Sequence, residues 1–167
     1  MCEYYGCRGN PPIAELMDEH TALVDQAHLV RRELGAGNRA GALARLTDLL
    51  AHLDRHVRRE EDGIFRAIRA TGDFVEEIEE LEGEHRGFAD AVAGLDPAAD
   101  GFTGRVSLLL DELGVHVERE DLGIFPVSVV TLGATGWSMV DEAHTRSPSF
   151  LHYPPTTPEE VPCTRSL

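Results

Sequence analysis

The sequence predicts an all-α protein: an antiparallel up-down-up-down four-helix bundle, then a segment that allows a short fifth helix, then an extended C-terminal tail. Three observations favour this fold class. Four segments place apolar residues at helical spacing, their connections are short, and no stretch has convincing period-two alternation. The segments also form two similar pairs, because the stretch HVRREEDGIF at 56–65 recurs as HVEREDLGIF at 116–125, with seven of ten positions identical.

The first pair of helices is predicted from caps and helix breakers. Asn10, followed by two prolines, should begin a helix at residue 11, because its side chain can cap the helix and the prolines need no N–H there. Glycine at Gly35 and again two residues later should end this helix. Asn38 should cap a second, longer helix over roughly residues 39–70.

The second pair of helices is predicted in the same way. The segment 71–73, Thr-Gly-Asp, should end the second helix and cap a third over roughly 74–93. A loop rich in glycine, proline and aspartate at 94–101 separates it from a fourth helix at about 102–125. Pro126 should end that helix, because proline lacks the N–H that a helix interior uses.

The chain is therefore expected to have four parts within one domain, for which its 167 residues suffice. Residues 1–10 form an irregular head that carries cysteines, and 11–126 form the bundle. Residues 127–144 form a short helix or capping segment, with helical spacing over 136–144. Residues 145–167 form a proline-rich extended tail.

Composition excludes several classes of partner. The formal net charge of -15 disfavours phosphate backbones and anionic lipids, so neither nucleic acid nor a membrane is expected as a partner. No apolar run approaches the length of a membrane span, and no signal peptide is recognisable, so we expect a cytoplasmic protein. The odd cysteine count argues against a disulfide framework. All three cysteines, Cys2, Cys7 and Cys163, lie outside the predicted helices. We expect Cys2 and Cys7 to be reduced surface thiols, with a redox or metal-relay role of the head as the alternative.

The repeated stretch contains His-x-x-x-Glu, which is the main functional signal. Residues four apart lie on one face of a helix, so the imidazole and the carboxylate point to the same place. One further histidine lies in each remaining helix, inside or beside the apolar stripe. Together these residues predict six groups at the centre of the bundle: His20, His56, Glu60, His85, His116 and Glu120.

Six buried ionisable groups need compensation, and a metal supplies it. Imidazoles with carboxylates suit iron first, with manganese or zinc less favoured. Two carboxylates shared between two histidine sets favour two metals, with Glu60 and Glu120 as bridges. Two purely structural alternatives compete with this prediction. Each histidine alone could be a hydrogen-bonded core residue, or the His–Glu pairs could be surface contacts.

The ordered set His20, His56-x-x-x-Glu60, His85 and His116-x-x-x-Glu120 resembles the ligand pattern of hemerythrin-like, or HHE cation-binding, domains. The likeness covers roughly residues 13–126. It implies a four-helix bundle holding a non-haem centre of two iron ions bridged by oxide or hydroxide. Members of this family variously carry or sense oxygen, sense iron, repair iron–sulfur clusters or decompose peroxide.

The chain departs from the oxygen carriers of that family in two respects. Those carriers have two histidines four apart on the third helix, whereas the residues four away from His85 are Leu81 and Ala89, which cannot bind a metal. They also use an aspartate five residues past the last histidine, which corresponds to Asp121. Glu120 is preferred here because it matches Glu60 in the repeat. The missing imidazole disfavours reversible oxygen carriage.

Further side chains are candidates for secondary roles. His52 lies one turn before His56 and could be a ligand, or a partner of one, or a bundle-end surface residue; His28 is a weaker candidate. Four acidic residues are expected to be solvated or to contact ligands from outside: Glu61, Asp62, Glu118 and Asp121. A tyrosine could replace the missing imidazole, although packing roles are favoured for the three present: Tyr4, Tyr5 and Tyr153. His144 and His152 are expected to be structural or part of the tail.

The sequence leads to one preferred function and two alternatives. The preferred function is redox chemistry on a small oxygen species, through peroxide breakdown or oxygen reduction. The first alternative is a non-catalytic sensor of oxygen, iron or redox state, or an iron donor for cluster repair, in which the head and tail are candidate contacts for a protein partner. The second is a structural zinc bundle. No serine–histidine–aspartate triad, phosphate loop or dinucleotide fingerprint is recognisable.

Overall fold

The computed structural model describes residues 7–152, and within them the chain is helical with no strand. The predicted all-α class is confirmed. The α-helices are α1 (Pro11–Gly35), α2 (Arg39–Arg59), α3 (Arg66–Arg69), α4 (Val75–Ala93), α5 (Phe102–Arg119), α6 (Phe125–Thr131) and α7 (Ala134–Arg146). Two π-helical segments join α2 to α3 and α5 to α6, and 3₁₀ turns cover Cys7–Gly9 and Phe150–His152.

The predicted caps of the first two helices are present. The Asn10 side chain accepts a hydrogen bond from the Ile13 N–H at 3.5 Å, and the Asn38 side chain accepts one from the Gly41 N–H at 3.0 Å. Each bond satisfies a backbone donor that the first helical turn leaves without a partner. Gly37 has φ 73, a left-handed conformation that glycine adopts without strain, and it turns the chain from α1 into α2.

The two copies of the repeated stretch share a backbone feature that the sequence did not reveal. Each passes from α-helix into a π-helical segment, Glu60–Phe65 in the first copy and Glu120–Ile124 in the second. Each π segment begins at the glutamate of His-x-x-x-Glu. Such segments widen the helix by about one residue per turn and are frequent at functional sites. The helix therefore continues past each glutamate with a changed angular register.

Three boundary predictions need correction. Pro126 does not end the fourth helix: it lies in the first turn of α6, directly after the π segment, where a missing N–H is tolerated, and the helix continues to Thr131. Asp73 does not cap α4: the cap position is Phe74, which has a left-handed φ of 56 and no side-chain cap. The tail does not begin at 145, because α7 runs to Arg146. Residues 153–167 of the predicted tail, and 1–6 of the predicted head, lie outside the described residues.

Two apolar clusters divide the interior, and the predicted site lies between them. One cluster joins the beginnings of α1 and α4 to the residues that follow α2 and α5, and includes Ile13, Leu16, Ile64, Phe65, Ile78, Leu81, Ile124 and Phe125. The other joins the opposite parts of the same helices and includes Leu23, Val30, Leu46, Leu49, Phe88, Val106, Leu109 and Leu113. The six predicted ligands fall between these two sets along every helix, which surrounds them with apolar side chains.

The predicted fifth helix is present as α7. It packs against the first π segment and α3, and also reaches α1 and α2. Phe150, just after α7, is buried in the second apolar cluster. Among the helices of residues 7–152, none is long and apolar enough to cross a membrane.

Candidate metal centre

Four histidines, one from each long helix, face one another in the middle of the molecule. The first histidine pair consists of His20 on α1 and His56 on α2, whose ring centroids lie 4.5 Å apart. The second histidine pair consists of His85 on α4 and His116 on α5, with centroids 4.7 Å apart. All four are buried, and their Nε2 atoms point toward the centre.

Glu60 reaches both histidine pairs with different oxygens. Its Oε1 lies 3.0 Å from His56 Nε2 and 3.5 Å from His20 Nε2, and its Oε2 lies 3.6 Å from His85 Nε2. The carboxylate is fully buried. Its position at the start of the π segment, one turn beyond His56, directs it into the space between the pairs.

Glu120 repeats this arrangement from the opposite side. Its Oε2 lies 3.1 Å from His20 Nε2, and its Oε1 lies 3.2 Å from His116 Nε2 and 3.6 Å from His85 Nε2. It is also fully buried. Each carboxylate thus presents one oxygen to each histidine pair, which is the arrangement that two neighbouring cations sharing bridging carboxylates require.

The candidate ligand atoms form two compact groups. Within each group, all atoms lie within 4.8 Å of one another. The first group contains His20, His56, Glu60 and Glu120. The second contains His85, His116 and Glu120, with Glu60 near only one of the two imidazoles. The structure therefore brings all six predicted residues together, and the buried groups can hold metal ions; which of the six bind remains a prediction.

In each histidine pair, the Nδ1 atom of one histidine contacts a glutamate on the neighbouring helix. This glutamate directly precedes the other histidine of the pair in the sequence. His56 Nδ1 lies 2.6 Å from Glu19 Oε2, and His116 Nδ1 lies 2.6 Å from Glu84 Oε2. An ionised carboxylate can only accept, so Nδ1 carries the proton. In the neutral ring, Nε2 is then left with its lone pair directed at the centre, as metal-binding histidines require.

The Nδ1 atoms of the other two histidines contact acidic residues from the other half of the molecule. In each case the acid directly follows a central glutamate, Glu120 or Glu60. His20 Nδ1 lies 2.8 Å from Asp121 Oδ1, and His85 Nδ1 lies 2.9 Å from Glu61 Oε1. These contacts tie each copy of the repeat to the other half of the molecule. They also place Asp121 outside the centre, at His20 Nδ1, and Glu120 within it, beside the Nε2 atoms.

Two arginines at the same position of the repeat support the glutamates. Arg59 is fully buried and pairs with Glu15 and, at 3.1 Å, with Glu19. Arg119 pairs with the corresponding Glu84, and with Glu80 at 3.1 Å. Arginine, glutamate and histidine therefore form the same three-residue chain in both halves of the centre.

Charges of opposite sign decide the protonation of the centre. Burial lowers the pKa of His85, but the neighbouring Glu120 and Glu61 carboxylates outweigh burial and raise the pKa to about 10. Burial and the Glu120 charge raise the pKa of Glu60, but His56 and His20 outweigh both and lower it to about 2. The pKa of His20 is likewise raised well above its usual value, against burial, chiefly by Asp121. Without a metal, protons on the imidazoles would balance the carboxylates, and a metal bound there would take the place of these protons.

Polar atoms at the centre fit a cation. Within residues 7–152, the Nε2 atoms of the first histidine pair and all four oxygens of Glu60 and Glu120 are buried with no hydrogen-bond partner. The two Nε2 atoms of the second pair face each other at 2.9 Å, where two lone pairs would repel unless a proton or cation lay between them. Unsatisfied buried groups are costly, and a metal satisfies them together.

Aromatic rings cover the imidazoles. Phe125 stacks on His20 with centroids 5.4 Å apart, and Phe65 stacks on His85 with centroids 5.9 Å apart. Both phenylalanines end the Gly-Ile-Phe of their copy of the repeat and are fully buried. They restrict the rings to one orientation and keep water from that side of the centre.

The remaining candidates lie away from the centre. His52 lies 2.8 Å from Gln26 Oε1 and stacks on Phe150, so it is a packing residue. Asp62, Glu118 and His28 are exposed. Half-buried His144 and exposed His152 contact the Arg59–Glu15 pair. The side chains of Cys2, Tyr4, Tyr5, Cys7, Tyr153 and Cys163 lie outside the part of the chain that the structure describes.

Sequence reasoning missed Glu19, Glu84 and the two arginines. A signal was present, because both glutamates directly precede a histidine and both arginines occupy the same place in the repeat. Helical spacing alone gave no reason to turn them inward, since acids and arginines are usually solvated. Their roles became visible only when the Nδ1 atoms of the histidines were placed.

Comparison with known proteins agrees with this geometry. Residues 11–128 match the family model described as the hemerythrin HHE cation-binding domain. This span covers more than half of the 167 residues and contains all six central side chains. No curated protein and no solved structure matches the chain.

Proposed function

Because the chain belongs to the hemerythrin HHE cation-binding domain family, we propose that it is a non-haem di-iron protein that performs redox chemistry on a small oxygen species. The reaction is peroxide breakdown or oxygen reduction. His20, His56, His85 and His116 would supply imidazoles, and the two central glutamates would bridge the metals.

One observation carries this proposal: Glu60 and Glu120 each present one oxygen to the first histidine pair and one to the second. A single cation would need only one such set. Two carboxylates divided between two pairs of imidazoles match two cations at bridging distance. Imidazole with carboxylate is a donor set that suits iron and also admits manganese or zinc.

Two bound irons would supply the capacity to exchange two electrons with an O–O bond. The chain's own residues do the rest. Glu19, Glu84, Glu61 and Asp121 fix the four rings through Nδ1, which keeps each Nε2 directed inward. Phe65 and Phe125 exclude water from their faces of the centre.

Two further properties belong to the same proposal. We infer that the four long helices alternate in direction, because one apolar cluster joins the beginnings of α1 and α4 to the residues after α2 and α5. We also place the protein in the cytoplasm, since an odd number of cysteines suits a reducing compartment.

The test is turnover of hydrogen peroxide and of dioxygen by the iron-loaded protein, measured with an oxygen electrode. Glu60→Ala removes a bridging carboxylate, and exposed Glu118→Gln is the matched control. We expect peroxide to be decomposed, or dioxygen consumed with a reductant, by the wild type and by the control but not by Glu60→Ala. Full iron occupancy without turnover of either molecule would overturn the catalytic proposal in favour of a sensor or an iron donor.

A further inference from the structure

The two halves of the centre share one contact pattern but are covered differently. In the first half, Arg59 donates to the Ser147 carbonyl at 3.0 Å and lies 3.1 Å from His144 Nδ1 of α7. Its side chain is 1% exposed, whereas that of Arg119, at the same position of the repeat, is 39% exposed. The glutamates that pair with these arginines differ in the same direction: Glu19 is 0% exposed and Glu84 is 41% exposed. Helix α7 therefore covers the Arg59–Glu19 pair of the first half, whereas the Arg119–Glu84 pair of the second half faces solvent.

The glycines of the repeat show the same difference. A methyl group on Gly63 would lie 3.5 Å from the Cβ of Ala143 in α7, which is van der Waals contact. A methyl group on Gly123 would meet no described atom within 4 Å. The two positions are equivalent in sequence, so the contrast arises from α7 and not from the repeat itself.

A cleft of about 540 Å³ opens on the uncovered side. We call it the α4–α5 cleft, because residues of α4 and α5 supply most of its lining. His85 and His116 lie along it, together with the buried ring of Phe88, and neither member of the first histidine pair does. Leu108 and Val115, which are 58% and 59% exposed, lie on the same lining and mark the solvent side.

We propose that small neutral oxygen molecules reach the centre through the α4–α5 cleft and first meet the metal position held by His85 and His116. This inference rests on the proposed function and adds the side of access and the charge class of the substrate. Glu60 also lies less close to the second histidine pair, 3.6 Å from His85 Nε2, than to the first, 3.0 Å from His56 Nε2. A metal held by His85 and His116 would therefore be less tightly enclosed by protein donors than one held by His20 and His56.

The charge around the cleft selects against anions. The cleft is lined by three acids, Glu84, Asp111 and Glu112, and by one base, Arg119. Arg119 pairs with Glu84 and Glu80, and Asp111 pairs with Arg31 of α1 at 2.7 Å, which leaves the lining acidic. The net charge of the chain, -15, adds to this repulsion. The negative potential therefore repels an anion that approaches the cleft. Dioxygen and hydrogen peroxide carry no net charge and are not repelled.

The first experiment measures binding of nitric oxide, a neutral diatomic probe, to the reduced iron-loaded protein by stopped-flow absorbance. Val115→Trp places a bulky ring on the cleft lining. Val130→Trp, at a valine that is 79% exposed and does not line the cleft, is the matched control. We expect Val115→Trp to slow binding about tenfold, equivalent to a barrier about 1.4 kcal/mol higher, and the control to leave the rate unchanged.

Equal rates in wild type, Val115→Trp and Val130→Trp, at equal iron content, would overturn the assignment of the cleft. The same instrument tests the charge class with azide, an anionic probe. Azide binding should accelerate as salt rises, because salt screens the repulsion, while nitric oxide binding should not change. Azide binding that slows as salt rises would contradict the proposed selection against anions.

A second measurement does not depend on iron or on turnover. Dissolved dioxygen is paramagnetic and enhances relaxation of methyl protons that it reaches, which NMR records in the zinc-loaded protein. Leu113 lines the cleft, whereas Leu23 lies three residues after His20 on α1 and does not line it; both side chains are buried. We expect the larger enhancement at Leu113, reduced by Val115→Trp.

The two proposals fail in different ways. Stronger relaxation at Leu23 than at Leu113 would refute access through the cleft even if iron bound and peroxide turned over. Absence of iron from the protein would refute the proposed function, while the relaxation experiment would still decide whether the cleft is the path for dioxygen.

Discussion

Replacement of Glu19 or of its counterpart Glu84 by glutamine should have very different effects on stability. Both glutamates contact a histidine Nδ1 at 2.6 Å and both pair with an arginine. The Glu19 pair is buried, with Arg59 at 1% and Glu19 at 0% exposure, and the Glu84 pair is solvated. Glu19→Gln therefore leaves a buried guanidinium with less negative charge around it, whereas Glu84→Gln does not.

The expected magnitudes follow from burial. Breaking a buried ion pair by removing one partner costs about 3–5 kcal/mol, and the lower end applies here because Glu15 still pairs with Arg59. Removing one partner of a solvated pair costs at most about 1 kcal/mol. In a chain of this length, about 3 kcal/mol corresponds to a melting temperature lower by roughly 6–12 °C.

The assay is urea and thermal unfolding of the two variants beside the wild type, followed by circular dichroism, in metal-free and in zinc-loaded protein. The metal-free series isolates the ion pairs from the contribution of the metal. Equal destabilisation of the metal-free protein by Glu84→Gln and Glu19→Gln would contradict the claim that burial under α7 makes loss of the Glu19 carboxylate the more costly change.

Three further predictions concern individual histidines. His52→Ala should leave the iron content unchanged, as elemental analysis would show, because His52 contacts Gln26 and Phe150 and not the centre. Burial and the Arg59 charge lower the pKa of His144 to about 4, so the unfolded state takes up a proton first as the pH falls from about 6.5 to 4. The free energy of unfolding should then drop by up to about 3 kcal/mol in this range, and unfolding curves of His144→Gln should lack that part of the pH dependence. Since the folded pKa of His85 is raised to about 10, a metal must displace its proton, and metal affinity measured by competition with a chelator should fall about tenfold per pH unit for each proton displaced as the pH decreases.

Much of the fold could be predicted because its signals are local. The caps at Asn10 and Asn38 act within one helical turn, and both were found where the sequence placed them. Pro126 was misjudged because a π segment precedes it, and π segments depend on the packing of a whole helix turn and not on residue propensity. Phe74 at a left-handed cap was not foreseen because such a conformation disfavours a bulky residue and only its surroundings impose it.

In the candidate centre too, the features set by local sequence could be predicted, and those set by contacts between distant residues could not. Periodicity predicted that His56 and Glu60 lie on one face of a helix, and the repeat predicted the second copy, so the six central residues could be named. The contact between Asp121 and His20 joins residues 101 positions apart, and no spacing rule reaches that far. The cover by α7 likewise breaks a symmetry that the sequence repeat suggested, because the helix that causes it lies outside the repeat.

The central claim is that Glu60 and Glu120 hold two metal ions between the histidine pairs. Elemental analysis of protein expressed in iron-replete medium, with its near-ultraviolet spectrum, tests this claim most directly. We expect about two irons per chain and oxo-to-iron absorption bands that vanish in Glu60→Ala and in Glu120→Ala. Metal-free protein, or one zinc per chain without these bands, would contradict the account.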